Sequence, residues 1–172
     1  MFSLETHDGD ETSISYRIAG DGPPLLLLHG FPQTNMMWHK IAPALAERYT
    51  VVAADLRGYG DSGHPASDAA HAPYSKRAMA ADMAGLMRGL GHDSFMVAGH
   101  DRGGRVAHRL ARDHGDCVTR IAVLDIAPTA AMYEQTDKRF ATAYYHWFFL
   151  IQPAPLPEQM IGADPEFYLR NK

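Results

Sequence analysis

The chain holds a single cysteine, Cys117, in 172 residues. No disulfide can close within it, and a lone thiol packs as a small hydrophobe, so Cys117 is expected to be buried. Blocks of lysine and arginine are missing and the net charge is −4. That balance argues against a nucleic-acid partner held through backbone phosphates. Long apolar runs are missing too. The most apolar stretch, Leu25 to Leu28 with its neighbours, falls far short of the roughly 20 residues of a membrane span. Met1 to Glu5 has no apolar signal core, so no membrane is expected and the cytoplasm is the expected compartment. Ten histidines are present, yet none forms an H-x-x-x-H pair on a helix or clusters with cysteine. No metal and no cofactor are therefore expected.

What is present reads as one soluble core. Thr12 to Ile18 alternates apolar and polar residues, the mark of a half-exposed strand. Gly20 to Pro23 is a turn. Pro24 to His29, Thr50 to Ala54, Phe95 to Ala98 and Val118 to Leu124 are short continuous apolar runs, as in strands buried on both faces. Helical spacing predicts helices over Trp38 to Tyr49, Ser75 to Leu90 and Gly104 to Asp113. Met79, Met83, Leu86, Met87 and Leu90 form the apolar stripe of the second, expected to pack in the core. A polar loop runs from Arg57 to Tyr74. Strands alternating with helices imply a mostly parallel α/β sheet covered on both faces. After Asp125 the texture changes. Ala131 to Leu150 reads as an aromatic helix, Pro153, Pro155 and Pro157 interrupt it, and Glu158 to Leu169 follows.

Gly58-Tyr59-Gly60-Asp61-Ser62-Gly63 matches G-x-G-x-x-G after a strand. A dinucleotide site needs that loop to open straight into a helix. Here His64-Pro65 and more polar loop follow, so a plain glycine-rich turn is expected.

The chemistry concentrates in Gly99-His100-Asp101-Arg102-Gly103-Gly104. Strand, sharp glycine turn and helix have the shape of a nucleophile elbow, with aspartate at its tip. A carboxylate there suits attack on carbon through an ester intermediate, and the helix N-terminus favours its charged form. An ordinary N-cap is the alternative. Arg102 and Arg105 lie in the first helical turn, where the dipole disfavours cations. A substrate anion would offset that, and arginine forks match a carboxylate; a structural ion pair is the alternative. The backbone N–H groups of Phe31 and Arg102 could form an oxyanion hole. His29 itself is expected to be a buried, hydrogen-bonded residue. Asp125 ends a strand at the carboxyl edge, where α/β ligands bind. It could orient a histidine base or cap the next segment. His146 and Trp147 could bind a halide, although spacing alone favours aromatic packing.

Taken together, the chain resembles the α/β-hydrolases, and within them the haloacetate (fluoroacetate) dehalogenases. The segments that carry this are His29-Gly30-Phe31-Pro32-Gln33, Asp55 to Gly60, Gly99 to Arg105, Leu124 to Thr129 and His146-Trp147. The first two are shared widely; Asp-Arg-Gly-Gly-Arg with a downstream His-Trp is much more specific. The resemblance implies a hydrolase core over 1–129 and the beginning of a helical cap over 130–172. It also implies a small α-halocarboxylate substrate and a homodimer. Asp101 would displace the halide, Arg102 and Arg105 would hold the carboxylate, and His146 and Trp147 would stabilise the halide. A histidine paired with Asp125 would activate water.

The family's histidine base lies beyond the cap, and no histidine before Asp125 is expected in its place. The chain therefore reads as the N-terminal portion of such a hydrolase, with an exposed sheet edge that favours association. Two other readings stay open. An epoxide hydrolase with the same nucleophile would use Tyr144 and Tyr145 as proton donors. A non-catalytic carboxylate-binding module would use the fold without its base.

Overall fold

The computed structural model describes residues 2–171. Six strands form one sheet in the order β1-β2-β4-β3-β5-β6. They are β1 (Ser3–Asp8), β2 (Ser13–Ala19), β3 (Pro24–Leu28), β4 (Thr50–Ala54), β5 (Phe95–His100) and β6 (Val118–Leu124). β3 runs parallel to β4 and to β5, and β5 parallel to β6. The first two strands are antiparallel to their neighbours. β1 has no counterpart in the sequence reading. Its residues, SLETHD, are mostly exposed, so burial leaves no pattern in them.

Side chains of the central strands alternate between two cores. Leu26 and Leu28 of β3 and Val52 and Ala54 of β4 enter one; Leu27, Val51 and Ala53 enter the other. This is the period-two geometry of a strand. α1 (Ala42–Ala46), with the 3-10 turn Asn35–Lys40 before it, covers the second core through Trp38 and Ala42. The expected helix over Trp38 to Tyr49 is thus a 3-10 turn followed by a short α-helix. α2 (Lys76–Gly89) and α3 (Arg102–Asp113) cover the first core. Ser75 starts α2 by accepting the Ala78 N–H at 3.2 Å, as an N-cap serine does. Met79, Met83, Leu86 and Met87 are buried, as expected of a core stripe.

Two expectations fail locally. Val118–Leu124 has the composition of a buried strand, but β6 is exposed from Thr119 onward, with Ile121 at 44%, Val123 at 49% and Leu124 at 41%. Among the described residues it lies at the sheet edge, paired only with β5. Cys117 is half-buried, its Sγ donating to the His114 carbonyl at 3.1 Å.

The chain divides into two compact units, Met1–Ile126 and Ala127–Lys172. The second contains α4 (Thr129–Glu134), α5 (Lys138–Ala143), α6 (Tyr145–Phe149), α7 (Leu156–Ala163) and α8 (Pro165–Arg170). The single helix expected over Ala131 to Leu150 is three short ones. Asp137 breaks it, because its carboxylate caps α5 by accepting the Phe140 N–H at 2.7 Å; aspartate competes with helical hydrogen bonds in this way. Tyr133, Phe140, Tyr144, Trp147 and Phe148 form an aromatic cluster within this unit. No helix of the described residues is long and apolar enough to cross a membrane.

Candidate active site

β5 ends at His100 and α3 begins at Arg102, so the whole turn is Asp101, at φ +48°. Positive φ is uncommon for a residue with a Cβ, and strain of this kind clusters at functional sites. Asp101 occupies the N-cap position of α3, but its side chain makes no capping hydrogen bond. Instead Oδ2 accepts the Phe31 N–H at 2.9 Å. That arrangement weighs against the plain N-cap alternative. Gly30 makes room for it, since a Cβ there would stand 2.7 Å from Asp101 Cβ. A Cβ on Gly103 would collide with the Leu28 and His29 carbonyls. The first turn of α3 therefore lies directly on the end of β3.

His29 is fully buried at that end. Its Nδ1 faces the Gly30 carbonyl at 2.9 Å, and its Nε2 accepts the Leu56 N–H at 3.0 Å. Those two bonds select the neutral tautomer with hydrogen on Nδ1. Burial holds the imidazole below its usual value, against hydrogen bonding to Gly30 and the charges of Asp55 and Asp101. His29 thus anchors the segment that presents the Phe31 N–H, as the sequence reading expected. Tyr59 packs edge-on against it, with ring centroids 5.1 Å apart. Burial pushes the Tyr59 phenol up while the charge of Arg102 pulls it down.

Arg102 lies over the Phe31 ring, its Cζ 5.4 Å from the centroid. Phe31 and the first arginine are thereby in contact. Arg105 stands one turn along the same helix. Arg109 turns to Asp113 at 2.6 Å. Lys76, unassigned in the sequence reading, shares this surrounding. Burial, then the charges of Arg102 and Arg105, push its amine down to about 8, against the opposing charge of Asp101. A signal was present in the sequence: Lys76 stands three residues before Met79, on the apolar stripe of α2.

Asp125 follows β6 at φ +52°, with its side chain 82% exposed. His100 Nε2 lies 3.8 Å from Asp125 Oδ2. Parallel pairing of β5 with β6 sets His100 beside Leu124, which brings the histidine next to the aspartate. Nothing local in the sequence announces that pairing. His146 and Trp147 both lie on α6 in the second unit. There Trp147 packs among Tyr133, Phe140 and Tyr144, and His146 stands between Tyr144 and Tyr145.

The glycine motif at Gly58–Gly63 forms turns rather than a helix start. Asp55, buried beneath it, accepts the Asn35 and Asp61 N–H groups at 2.6 and 3.3 Å. It is a packed turn, as expected.

A mostly parallel sheet, a carboxylate on a strand-to-helix turn and a backbone donor from the end of β3 define a known architecture. Residues 23–171 match the family model for the alpha/beta hydrolase fold. The chain belongs to the α/β-hydrolase fold family. A fluoroacetate dehalogenase of Burkholderia sp is 56% identical over 167 residues, covering 97% of this chain and 55% of that protein. A soluble epoxide hydrolase of Corynebacterium sp. (strain C12) is 48% identical, covering 91% and 53% respectively. Among solved structures, a candidate α/β hydrolase from Nostoc sp PCC 7120 superposes with a TM-score of 0.96 at 62% identity. It covers 99% of this chain and 58% of its own. This α/β-hydrolase chain thus spans about half the length of the relatives it matches.

Proposed function

We propose that these residues form the nucleophile and substrate-binding part of a hydrolase that removes halide from a small α-halocarboxylate. The observation that carries this reading is the Asp101 carboxylate: strained backbone, no capping role, facing the Phe31 N–H and followed by Arg102 and Arg105. The fluoroacetate dehalogenase relative supports the same substrate class.

In the proposed first step one Asp101 oxygen attacks the α-carbon. The carbon–halogen bond breaks, and halide leaves with its electron pair. An ester joins Asp101 to the substrate's carbon. Arg102 and Arg105 hold the substrate carboxylate during attack, with Arg102 steadied by the Phe31 ring. His146 and Trp147 supply N–H groups to the departing halide. Water, giving a proton to the base, then attacks the Asp101 carbonyl, whose oxygen gathers negative charge. As that oxyanion collapses, the bond from the Asp101 carbonyl carbon to the substrate-bound oxygen breaks and the α-hydroxycarboxylate leaves, restoring the Asp101 carboxylate. The Phe31 N–H, with that of Arg102, stabilises that oxyanion. Asp125 orients the histidine that activates the water.

Incubation with bromoacetate and with fluoroacetate, followed by peptide-resolved mass spectrometry, tests this reading. An ester on Asp101 that accumulates, and is missing in Asp101→Asn, is expected. A folded chain that gives no adduct at Asp101 sinks the proposal. The epoxide hydrolase relative favours a second reading, epoxide opening by the same aspartate with Tyr144 and Tyr145 as proton donors. Halide release separates the two.

A further inference from the structure

Phe31 lies just beyond β3 and meets the head of α3 through two different groups. Its backbone N–H donates to Asp101 Oδ2 at 2.9 Å. Its ring meets the Arg102 guanidinium, whose Cζ is 5.4 Å from the ring centroid. Both residues are half-buried. Among the described residues no carboxylate lies within ion-pair distance of Arg102, whereas Arg57, Arg77, Arg109 and Arg170 each meet one. The first turn of a helix opposes a cation, and an aromatic face is the contact this one makes. That contact is held from both sides. His29 fixes the Phe31 segment through the Gly30 carbonyl and the Leu56 N–H. A Cβ on Gly103 would collide with the Leu28 and His29 carbonyls, so the start of α3 rests directly on the same segment. Loop and helix start are thereby kept in register.

We propose that Phe31 is a positioning residue whose ring aligns the Arg102 guanidinium for the substrate carboxylate, and so makes the site prefer an α-halocarboxylate to its neutral amide. The inference rests on the reading of Asp101 and Arg102 given above. An aromatic face attracts a cation without taking any of its hydrogen-bond donors. The guanidinium donors therefore remain for a carboxylate, which they match as a fork. A free arginine side chain has many rotamers, and ordering it is a cost of binding. The ring meets that cost before substrate arrives. A charged substrate gains from the aligned cation, whereas an amide of the same shape gains little. The same residue holds the Asp101 carboxylate through its N–H. Nucleophile and cation are thus set by one residue, as suits a substrate whose carboxylate is bonded directly to the carbon under attack.

The test labels Asp101 of the 172-residue chain with bromoacetate and, separately, with bromoacetamide, which carries the same leaving group without the charge. Peptide-resolved mass spectra give the ratio of the two rates at Asp101. In Phe31→Leu, which keeps an apolar side chain but has no π face, the acid-to-amide ratio is expected to fall about fivefold. Phenylalanine with one ring fluorine, then with three, incorporated in place of Phe31, keeps the shape while drawing negative charge from the face. The ratio is expected to fall stepwise along that series. In Arg102→Gln the ratio is low and fluorination leaves it unchanged, because the ring then has no cation to hold. A merely structural role would slow both reagents together and leave the ratio alone. A wild-type ratio in Phe31→Leu, or a stepwise fall that persists in Arg102→Gln, would overturn the proposal and leave the Asp101 reading standing. Failure of bromoacetate to label Asp101 in the folded wild-type chain would overturn both. Circular dichroism checks folding. Should Phe31→Leu not fold, the fluorinated series decides, and a ratio indifferent to fluorination overturns the proposal.

Discussion

His29 and Arg57 are polar side chains buried for different reasons, and each makes a prediction. His29 is needed neutral, because a proton on Nε2 would destroy the acceptor that holds the Leu56 N–H. Its folded value lies below the ordinary 6.5. The unfolded chain thus binds the proton first, and stability is lost as pH falls from 6.5 through the lowered value. Urea denaturation at about pH 7.5 and about pH 5.5 should show that loss, and His29→Asn should make the pH dependence shallower. Arg57 is 1% exposed and grips Asp82 through two hydrogen bonds of 2.6 Å. It also reaches Glu11 at 2.9 Å and the Pro73 carbonyl at 2.6 Å. This pins the long polar loop to α2 and to the turn between β1 and β2. Burial pushes the Asp82 carboxyl up, and Arg57 pulls it back. Arg57→Met leaves that carboxylate buried without its partner and should cost about 3–5 kcal/mol. Thermal melting would check it; an unchanged midpoint would mean water replaces the guanidinium.

The α3 helix shows how a strand-to-helix turn imposes its residues on a sequence. Gly103 has no room for a methyl because backbone carbonyls of Leu28 and His29 face it, and backbone cannot swing aside as a flexible side chain can. Gly103→Ala should therefore cost about 2 kcal/mol or more and draw Asp101 away from the Phe31 N–H. Gly85 in α2 is the control, since a Cβ there meets nothing within 4 Å. Gly85→Ala should stabilise by roughly 0.5–1 kcal/mol through helix propensity alone. Urea midpoints of the two variants should move in opposite directions. β3, β4 and the α2 stripe were legible in the sequence because burial on both faces, or on one helical face, writes an apolar pattern. β1 was not, because its residues are mostly exposed. The broken helix before Leu150 was not, because aromatic spacing masked the capping role of Asp137.

The edge of the sheet bears on the behaviour of the whole chain. β6 offers open backbone groups, with Ile121 and Val123 on one face and Ala122 and Leu124 on the other. Open, apolar strand edges pair with other chains. The 172-residue chain on its own should self-associate as concentration rises, and Val123→Lys should shift sedimentation toward monomer. A monomer at all concentrations would show that β6 is less adhesive than its exposure suggests. In the second unit only Pro157 is buried among the described residues. Its stability therefore rests on aromatic contacts more than on a closed core.

Local chemistry along the chain was enough for the α/β alternation and the strand-to-helix turn at Asp101. These follow from apolar runs and glycine spacing, which act over a few residues. The direction of the Asp101 carboxylate and the pairing of His100 with Asp125 came only from the fold. Each depends on which strands are neighbours and in what register. That choice is made by packing among residues distant in the chain, and no short segment encodes it.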